Sequence, residues 1–252
     1  KLIDLNCYKY CIPKKDLVSI LNYFSHYIIC NSQRTASSVS NYSNDNKKLK
    51  VVYNIVNYQS HKKNIRDRLN LSMDTKIVAV LGWITPIKRI EDFIDAANLF
   101  TDEMHKFLII GGFGGDKKYN ELIKEKLKNS PNLANIILTG IIPNASDYLE
   151  SIDLLLSTCF AESFGRSVAE ALIAGVPCIG IIGSAVEELI QDKKSGYVVN
   201  QGDYKALASL SKKILSDNDL KIEMGAHGRN YLENNFSPEK IGPLYEKIFS
   251  KI

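Results

Sequence analysis

From residue 76 onward the chain alternates short, unbroken apolar runs with longer amphipathic stretches. Ile77-Val78-Ala79-Val80-Leu81, Phe107-Leu108-Ile109-Ile110, Ile136-Ile137-Leu138, Leu154-Leu155-Leu156, Cys178-Ile179-Gly180-Ile181 and Tyr197-Val198-Val199 have strand length and no polar face. Between them, Ile90, Phe93, Ile94 and Ala97 recur at helical spacing. Further helices are predicted over 117–128, 147–151, 165–174 and 186–191, then over 204–215, 220–232 and 238–249. Strands apolar on both faces, separated by amphipathic helices, predict an α/β fold. Its core would be a doubly wound parallel sheet, a Rossmann-like lobe over 76–235.

The first 57 residues hold few elements: a strand at Tyr27-Ile28-Ile29-Cys30, a Ser-rich helix up to Ser38, and a strand at Val51-Val52-Tyr53. That set is too small to close a core alone. Residues 58–75 are polar and basic and read as a connector with a short helix. Composition agrees with a globular class: of 252 residues, 45% are hydrophobic and 24% charged, which excludes disordered and collagen-like chains. No run approaches the roughly 18 apolar residues of a membrane-spanning helix. The start, Lys1-Leu2-Ile3-Asp4, lacks an initiator Met and a signal-peptide layout, and is expected to be interior to a longer chain. Five cysteines (Cys7, Cys11, Cys30, Cys159, Cys178) without a Cys-x-x-Cys pair suit a reduced, cytoplasmic setting.

The net charge of +4 is unevenly spread. Residues 1–75 carry 12 Lys/Arg against 5 Asp/Glu, a surplus of +7, and the remainder 20 against 23, or −3. Such a surplus is compatible with peripheral contact with an anionic membrane at the inner face of the cell membrane, or simply with a solvated surface. Nucleic acid is not an expected partner, since no basic cluster is interleaved with aromatics.

In doubly wound sheets ligands bind beyond the carboxyl ends of the strands, here the loops after Leu81, Ile110, Leu138, Leu156 and Ile181. The loop after Leu156 is the most informative. It carries Glu162 and Glu170 eight positions apart, with Phe164-Gly165 between them at a helix start. A helix beginning near Gly165 puts Glu170 about five residues in, roughly 7 Å along its axis. The N–H groups of the first turn and the positive end of the dipole would face the crevice between the two carboxylates. Gly165, with no Cβ, would let a phosphate approach closely. A ligand with a polyol at each end and a diphosphate between them, a nucleotide-sugar, fits this layout. Each glutamate by itself reads more readily as a solvated surface acid, Glu162 on the loop and Glu170 on the helix.

Glu162-x7-Glu170, followed by Ala171-Leu172-Ile173-Ala174-Gly175-Val176-Pro177, resembles the signature of family-four retaining glycosyltransferases of the GT-B fold. Gly82-Trp83-Ile84-Thr85-Pro86-Ile87-Lys88 is similar to that family's glycine-arginine-leucine loop and its lysine. Gly183 through Glu188, with Gly196-Tyr197-Val198-Val199, continues the match, and Tyr27–Ser32 and Asn54-Ile55-Val56 resemble the end of its N-terminal lobe. The resemblance implies that residues 1–57 are the remnant of an acceptor lobe and that 236–252 form a helix packing back on it. It also implies a nucleoside diphosphate sugar as donor and a glycan or lipid-linked acceptor hydroxyl.

By the same resemblance, Glu162 would contact donor sugar hydroxyls and Glu170 the ribose diol. Ser163, Phe164 and Gly165 would hold donor oxygens through backbone N–H groups. Lys88, near Gly82, would neutralise the leaving diphosphate, so that no metal or other cofactor is required. Ile142 would line the base pocket. Trp83 replaces the family's arginine, and Arg89 is a substitute cation if it turns to the ligand. Losing such a contact would slow transfer by orders of magnitude, and a chain holding mostly the donor lobe is expected to be weakly active or inactive. Two other readings stay open: a sugar-nucleotide epimerase-like enzyme of the same fold, and a non-catalytic nucleotide- or sugar-binding module. His26, His61, His105 and His227 show no metal-ligand spacing, and Cys159 reads as a packed thiol. The glycine-rich loop Gly111-Gly112-Phe113-Gly114-Gly115-Asp116 fits no phosphate-loop spacing.

Overall fold

The structure, a computed structural model, describes residues 14–60 and 63–251; Cys7, Cys11 and His61 lie outside the described residues. The N-terminal segment consists of α1 (Lys14–Phe24), β1 (Ile28–Cys30), α2 (Gln33–Ser40) and β2 (Leu49–Val51), with β1 and β2 paired in parallel. Helix α1 was not expected from the sequence, and β2 begins two residues before its predicted start. Val18, Leu21, Ile28, Cys30 and Val39 form the small core of this segment. The connector carries α3 (Ile65–Leu69).

The main sheet contains β3 (Lys76–Leu81), β4 (His105–Ile110), β5 (Ile136–Gly140), β6 (Leu154–Leu156), β7 (Cys178–Ile181) and β8 (Gly196–Val199). All are parallel, in the spatial order β5-β4-β3-β6-β7-β8. The chain winds outward through β3, β4 and β5, returns to the middle, and winds the other way through β6, β7 and β8. The unbroken apolar runs follow from burial on both faces. Val78, Val80, Phe107 and Ile109 pack in one core with α4 (Ile90–Ala97), α5 (Lys117–Lys128) and α7 (Tyr204–Ser216). Their neighbours Ile77, Ala79, Leu108 and Ile110 point the other way, to α6 (Arg166–Ile173) and α8 (Asn218–Phe236). The expected helix over 186–191 is a single 3-10 turn, Ala185–Glu188.

Helix α9 (Pro238–Phe249) follows α8 directly and runs beside the N-terminal segment. Leu244, Lys247 and Ile248 face Tyr27, Lys50, Val51 and Val52 across a groove of about 340 Å³. Among the described residues no helix is long and apolar enough to cross a membrane.

The two windings meet at β3 and β6, whose ladder comprises only Val78 with Leu154 and Ala79 with Leu155. Asp153, just ahead of β6, reinforces this short joint. Its N–H donates to the Ile77 carbonyl at 2.9 Å, and its Oδ2 accepts the Ile77 N–H at 2.8 Å. Arg66 of α3 reaches the same oxygen at 2.6 Å, and Lys221 of α8 reaches Oδ1 at 2.6 Å. The Arg66 and Asp153 side chains are both 9% exposed, so each charge depends on the other for solvation. Burial disfavours the Asp153 carboxylate, but the Lys221 hydrogen bond, the Ile77 N–H and both cations outweigh it and hold its pKa below 3.8. A carboxylate with a depressed pKa stabilises the fold fully above its unfolded pKa, and that stabilisation is lost as pH falls through the folded value. Asp153→Asn is therefore expected to cost about 3–5 kcal/mol at neutral pH. Urea melts should also show a shallower loss of stability than the wild type below about pH 4.

Candidate functional site

The crevice opens where the two windings part, beyond the carboxyl ends of β3 and β6. Lys88 comes from the loop after β3 and Glu162 from the loop after β6, and Lys88 Nζ meets Glu162 Oε2 at 2.6 Å. The backbone around Lys88 is fixed from the β6 side, because Thr158 Oγ1 donates to the Lys88 carbonyl at 2.6 Å and Phe160 N donates to Ile87 O at 3.3 Å. The two side chains are 21% and 18% exposed, open enough to meet a ligand and dry enough to attract one another strongly. Burial pulls the Lys88 pKa down, but attraction to Glu162, with a smaller contribution from Cys159, outweighs it and leaves the ammonium above the ordinary lysine value. Lys88 is therefore a fixed cation, not a base. Cys159 is buried and its thiol is pushed up to about 12, first by burial and then by Glu162, so it holds no thiolate at neutral pH.

Glycines decide how closely the loops approach. A Cβ at Gly111 would lie 1.9 Å from the Gly82 carbonyl oxygen, so the backbones after β3 and β4 touch directly. The Lys88 side chain lies over Gly82, its Cε 3.5 Å from where a Cβ would stand. Gly165, the N-cap of α6, has φ +92°, and a Cβ there would meet Val186 Cγ1 at 2.6 Å. Packing against the 3-10 turn and a left-handed backbone are by themselves sufficient to require glycine here. The N-cap of α6 is a glycine and so brings no capping side chain of its own to the first N–H groups, which lack intrahelical partners.

The remaining candidates divide. Glu170, on α6, is paired with the exposed Arg166 at 2.7 Å. Phe164 is buried, its ring packed toward Tyr53 and Phe236. The Ser163 carbonyl accepts from Thr35 Oγ1 of α2 at 3.2 Å. Arg89 does not turn to the crevice as a free cation. In a left-handed conformation at φ +46°, it binds Asp92 through Nε at 2.6 Å and Nη2 at 2.8 Å, with Glu91 at 3.6 Å. Ile142 is only 6% exposed and packs in the core, whereas its neighbour Ile141 is 63% exposed. Trp83, 57% exposed, meets Ile141 over Gly112, where a Cβ would lie 3.0–3.1 Å from both side chains. The exposed apolar side chains of these loops are thus Trp83 and Ile141, and Ile142 is turned to the core.

Glu188 had no role assigned from sequence. Its carboxylate accepts Gln33 N at 2.9 Å, Arg34 N at 2.8 Å and Tyr53 Oη at 2.8 Å, which caps α2 from 155 positions away. No local spacing signals such a partnership. Among the described residues no three His, Cys, Asp or Glu side chains gather in a metal-holding group. The one Asp-x-Asp spacing in the chain, Asp217-Asn218-Asp219, begins α8, where Asp217 Oδ1 caps Leu220 N at 2.9 Å.

The six-stranded parallel sheet flanked by helices matches a Rossmann-like lobe of the GT-B fold, and solved structures share that fold. HepE of Anabaena, in complex with UDP and glucose, superposes with a TM-score of 0.87 at 18% identity, over 95% of this chain and 67% of that one. A glycosyltransferase from Rickettsia africae does so at 0.83 and 18% identity, over 96% and 68%. The family model described as glycosyl transferases group 1 matches residues 61–231, and the chain belongs to that family. N-acetyl-alpha-D-glucosaminyl L-malate synthase of Bacillus anthracis is 29% identical over 209 residues, covering 81% of this chain and 54% of its own. Poly(ribitol-phosphate) alpha-N-acetylglucosaminyltransferase of Staphylococcus aureus is 28% identical, covering 69% of this chain and 35% of its own. The chain thus spans about half or less of the length of these curated relatives.

The site geometry makes Cys159 inert. Iodoacetamide at pH 8 should leave its peptide unmodified in the folded protein and label it fully in urea, read by mass spectrometry; labelling in the folded state would mean that the thiol is accessible.

Proposed function

We propose that the chain is the donor-binding half of a retaining glycosyltransferase that takes a nucleoside diphosphate sugar. The observation that carries this reading is the Lys88–Glu162 pair, which bridges the loops on either side of the switch point beside a helix N-terminus whose N-cap is a glycine. The diphosphate competes with Glu162 for Lys88 and accepts N–H groups at the start of α6. Glu162, released from Lys88, accepts hydrogen bonds from the sugar hydroxyls. Glu170 turns from the solvated Arg166 to the ribose diol. A phosphate oxygen then leaves the anomeric carbon with its bonding electrons, and Lys88 stabilises the charge that develops. The acceptor hydroxyl oxygen forms the new bond on the same face, and its proton passes to the departing diphosphate. With a fixed cation and a helix dipole on the phosphates, the reaction proceeds without a divalent metal.

The acceptor, a glycan or lipid-linked hydroxyl, meets the donor from the side of the N-terminal segment. This chain by itself binds donor and turns it over weakly or not at all. A second reading, a binding module without turnover, draws on Trp83, which puts an uncharged, exposed ring in the loop that carries Lys88. Glycosyl transfer to any acceptor would exclude it.

Calorimetry with UDP, GDP and their sugars tests the proposal. Binding is expected, undiminished by EDTA, and no heat at millimolar ligand would overturn it. Lys88→Ala should weaken diphosphate binding by about tenfold to a hundredfold and leave the nucleoside unaffected. Glu170→Ala should weaken nucleotide and nucleoside alike by about tenfold, and hardly affect the 2′-deoxynucleotide.

A further inference from the structure

The cations around the crevice are nearly all engaged. Lys88 is held by Glu162, Arg89 by Asp92 and Glu91, and Arg166 by Glu170. Trp83 adds no charge. Arg34 differs. Its backbone is pinned by the N–H bond to Glu188 at 2.8 Å, between Gln33, whose N–H is bonded to the same carboxylate, and Thr35, whose hydroxyl is bonded to the Ser163 carbonyl. Its guanidinium is exposed and has no hydrogen bond or ion pair among the described residues. It reaches across to the loop after β7, where Nη2 lies 3.9 Å from the position of a Cβ on Gly183. The first turn of α2 therefore lies over the carboxyl ends of β6 and β7, one residue along the chain from Glu162 on one side and against Gly183 on the other.

We propose that Arg34 is an anion-binding residue of the crevice, supplied by the N-terminal segment and aimed by Glu188. Its ligand is a phosphate group, carried either by the donor diphosphate or by an anionic acceptor. A guanidinium holds a phosphate through two parallel N–H bonds, and fixing the backbone in advance reduces the entropy lost on binding. Gly183 leaves the space beside the guanidinium open, and the carboxylate nearest in sequence, Glu187, is turned to the Gly183 N–H at 2.7 Å. Glu188 thus acts as a positioning residue. This inference rests on the proposed nucleotide site and adds a second cation to it.

Calorimetry on the wild type, Arg34→Ala, Arg34→Lys and Glu188→Gln separates the cases, with thermal melts to confirm folding. If the donor diphosphate is the ligand, Arg34→Ala weakens UDP or GDP by about tenfold, leaves uridine or guanosine unchanged and flattens the salt dependence. Arg34→Lys restores part of the loss, and Glu188→Gln shows the same selective loss in smaller measure. If the acceptor carries the phosphate, nucleotide binding is unchanged, and methyl phosphate binding to the UDP-loaded protein disappears in Arg34→Ala. Unchanged binding of every probe in Arg34→Ala, with nucleotide still bound, overturns the role of Arg34 and leaves the donor site standing. No nucleotide binding by the wild type overturns the donor site, and Arg34 with it.

Discussion

The short ladder between β3 and β6 is the constraint on which the rest of the molecule depends. Two residue pairs join the halves of the sheet there, and a buried carboxylate, Asp153, supplies what so short a ladder lacks. By accepting from the β3 backbone, the connector and α8 together, it fixes the relative position of the two windings at one end of the sheet. At the other end the same two strands diverge, and their following loops set Lys88 against Glu162. One junction is thus sealed at its base and open at its mouth, and the mouth is the crevice.

Electrostatics in the crevice follows a consistent pattern. Each of two charges keeps some contact with water and is held by a partner: Lys88 by Glu162 and Glu170 by Arg166. Partly exposed pairs of this kind exchange partners at small cost, because water compensates whichever group is released. A buried pair such as Arg66–Asp153 has no such freedom. The same chemistry of charge is therefore buried and fixed at the base of the sheet and partly open to solvent at its mouth.

The glycines show how packing and function share positions. Gly111 permits contact between the backbones that follow β3 and β4, and Gly165 starts α6 in a backbone region that other residues avoid. Neither requirement comes from a ligand, yet both shape the loops that carry Lys88 and Glu162. The N-terminal segment takes part as well: Thr35 holds the Ser163 carbonyl and Glu188 caps α2, so the loop bearing Glu162 is set partly by chain more than a hundred residues away.

Much of this was legible in the primary structure. Strands buried on both faces must be apolar throughout, so β3, β4, β6 and β7 announced themselves, and strong helical periodicity located the helices of residues 117–128 and 238–249 to the residue. Helix α1 escaped because Leu17, Val18 and Leu21 cover only a small core while Tyr23 and Phe24 stay exposed, which blurs the pattern. Glu162 and Glu170 stood out by their spacing after a strand and Lys88 by the resemblance of its loop to the family's, and folding sets Lys88 against Glu162. What sequence left open was direction: which of Ile141 and Ile142 faces out, whether Arg89 is free, what Gly165 makes room for, and what Glu188 holds. Those are pairings between distant segments, decided only when the chain closes and each polar group takes the nearest partner that compensates its desolvation.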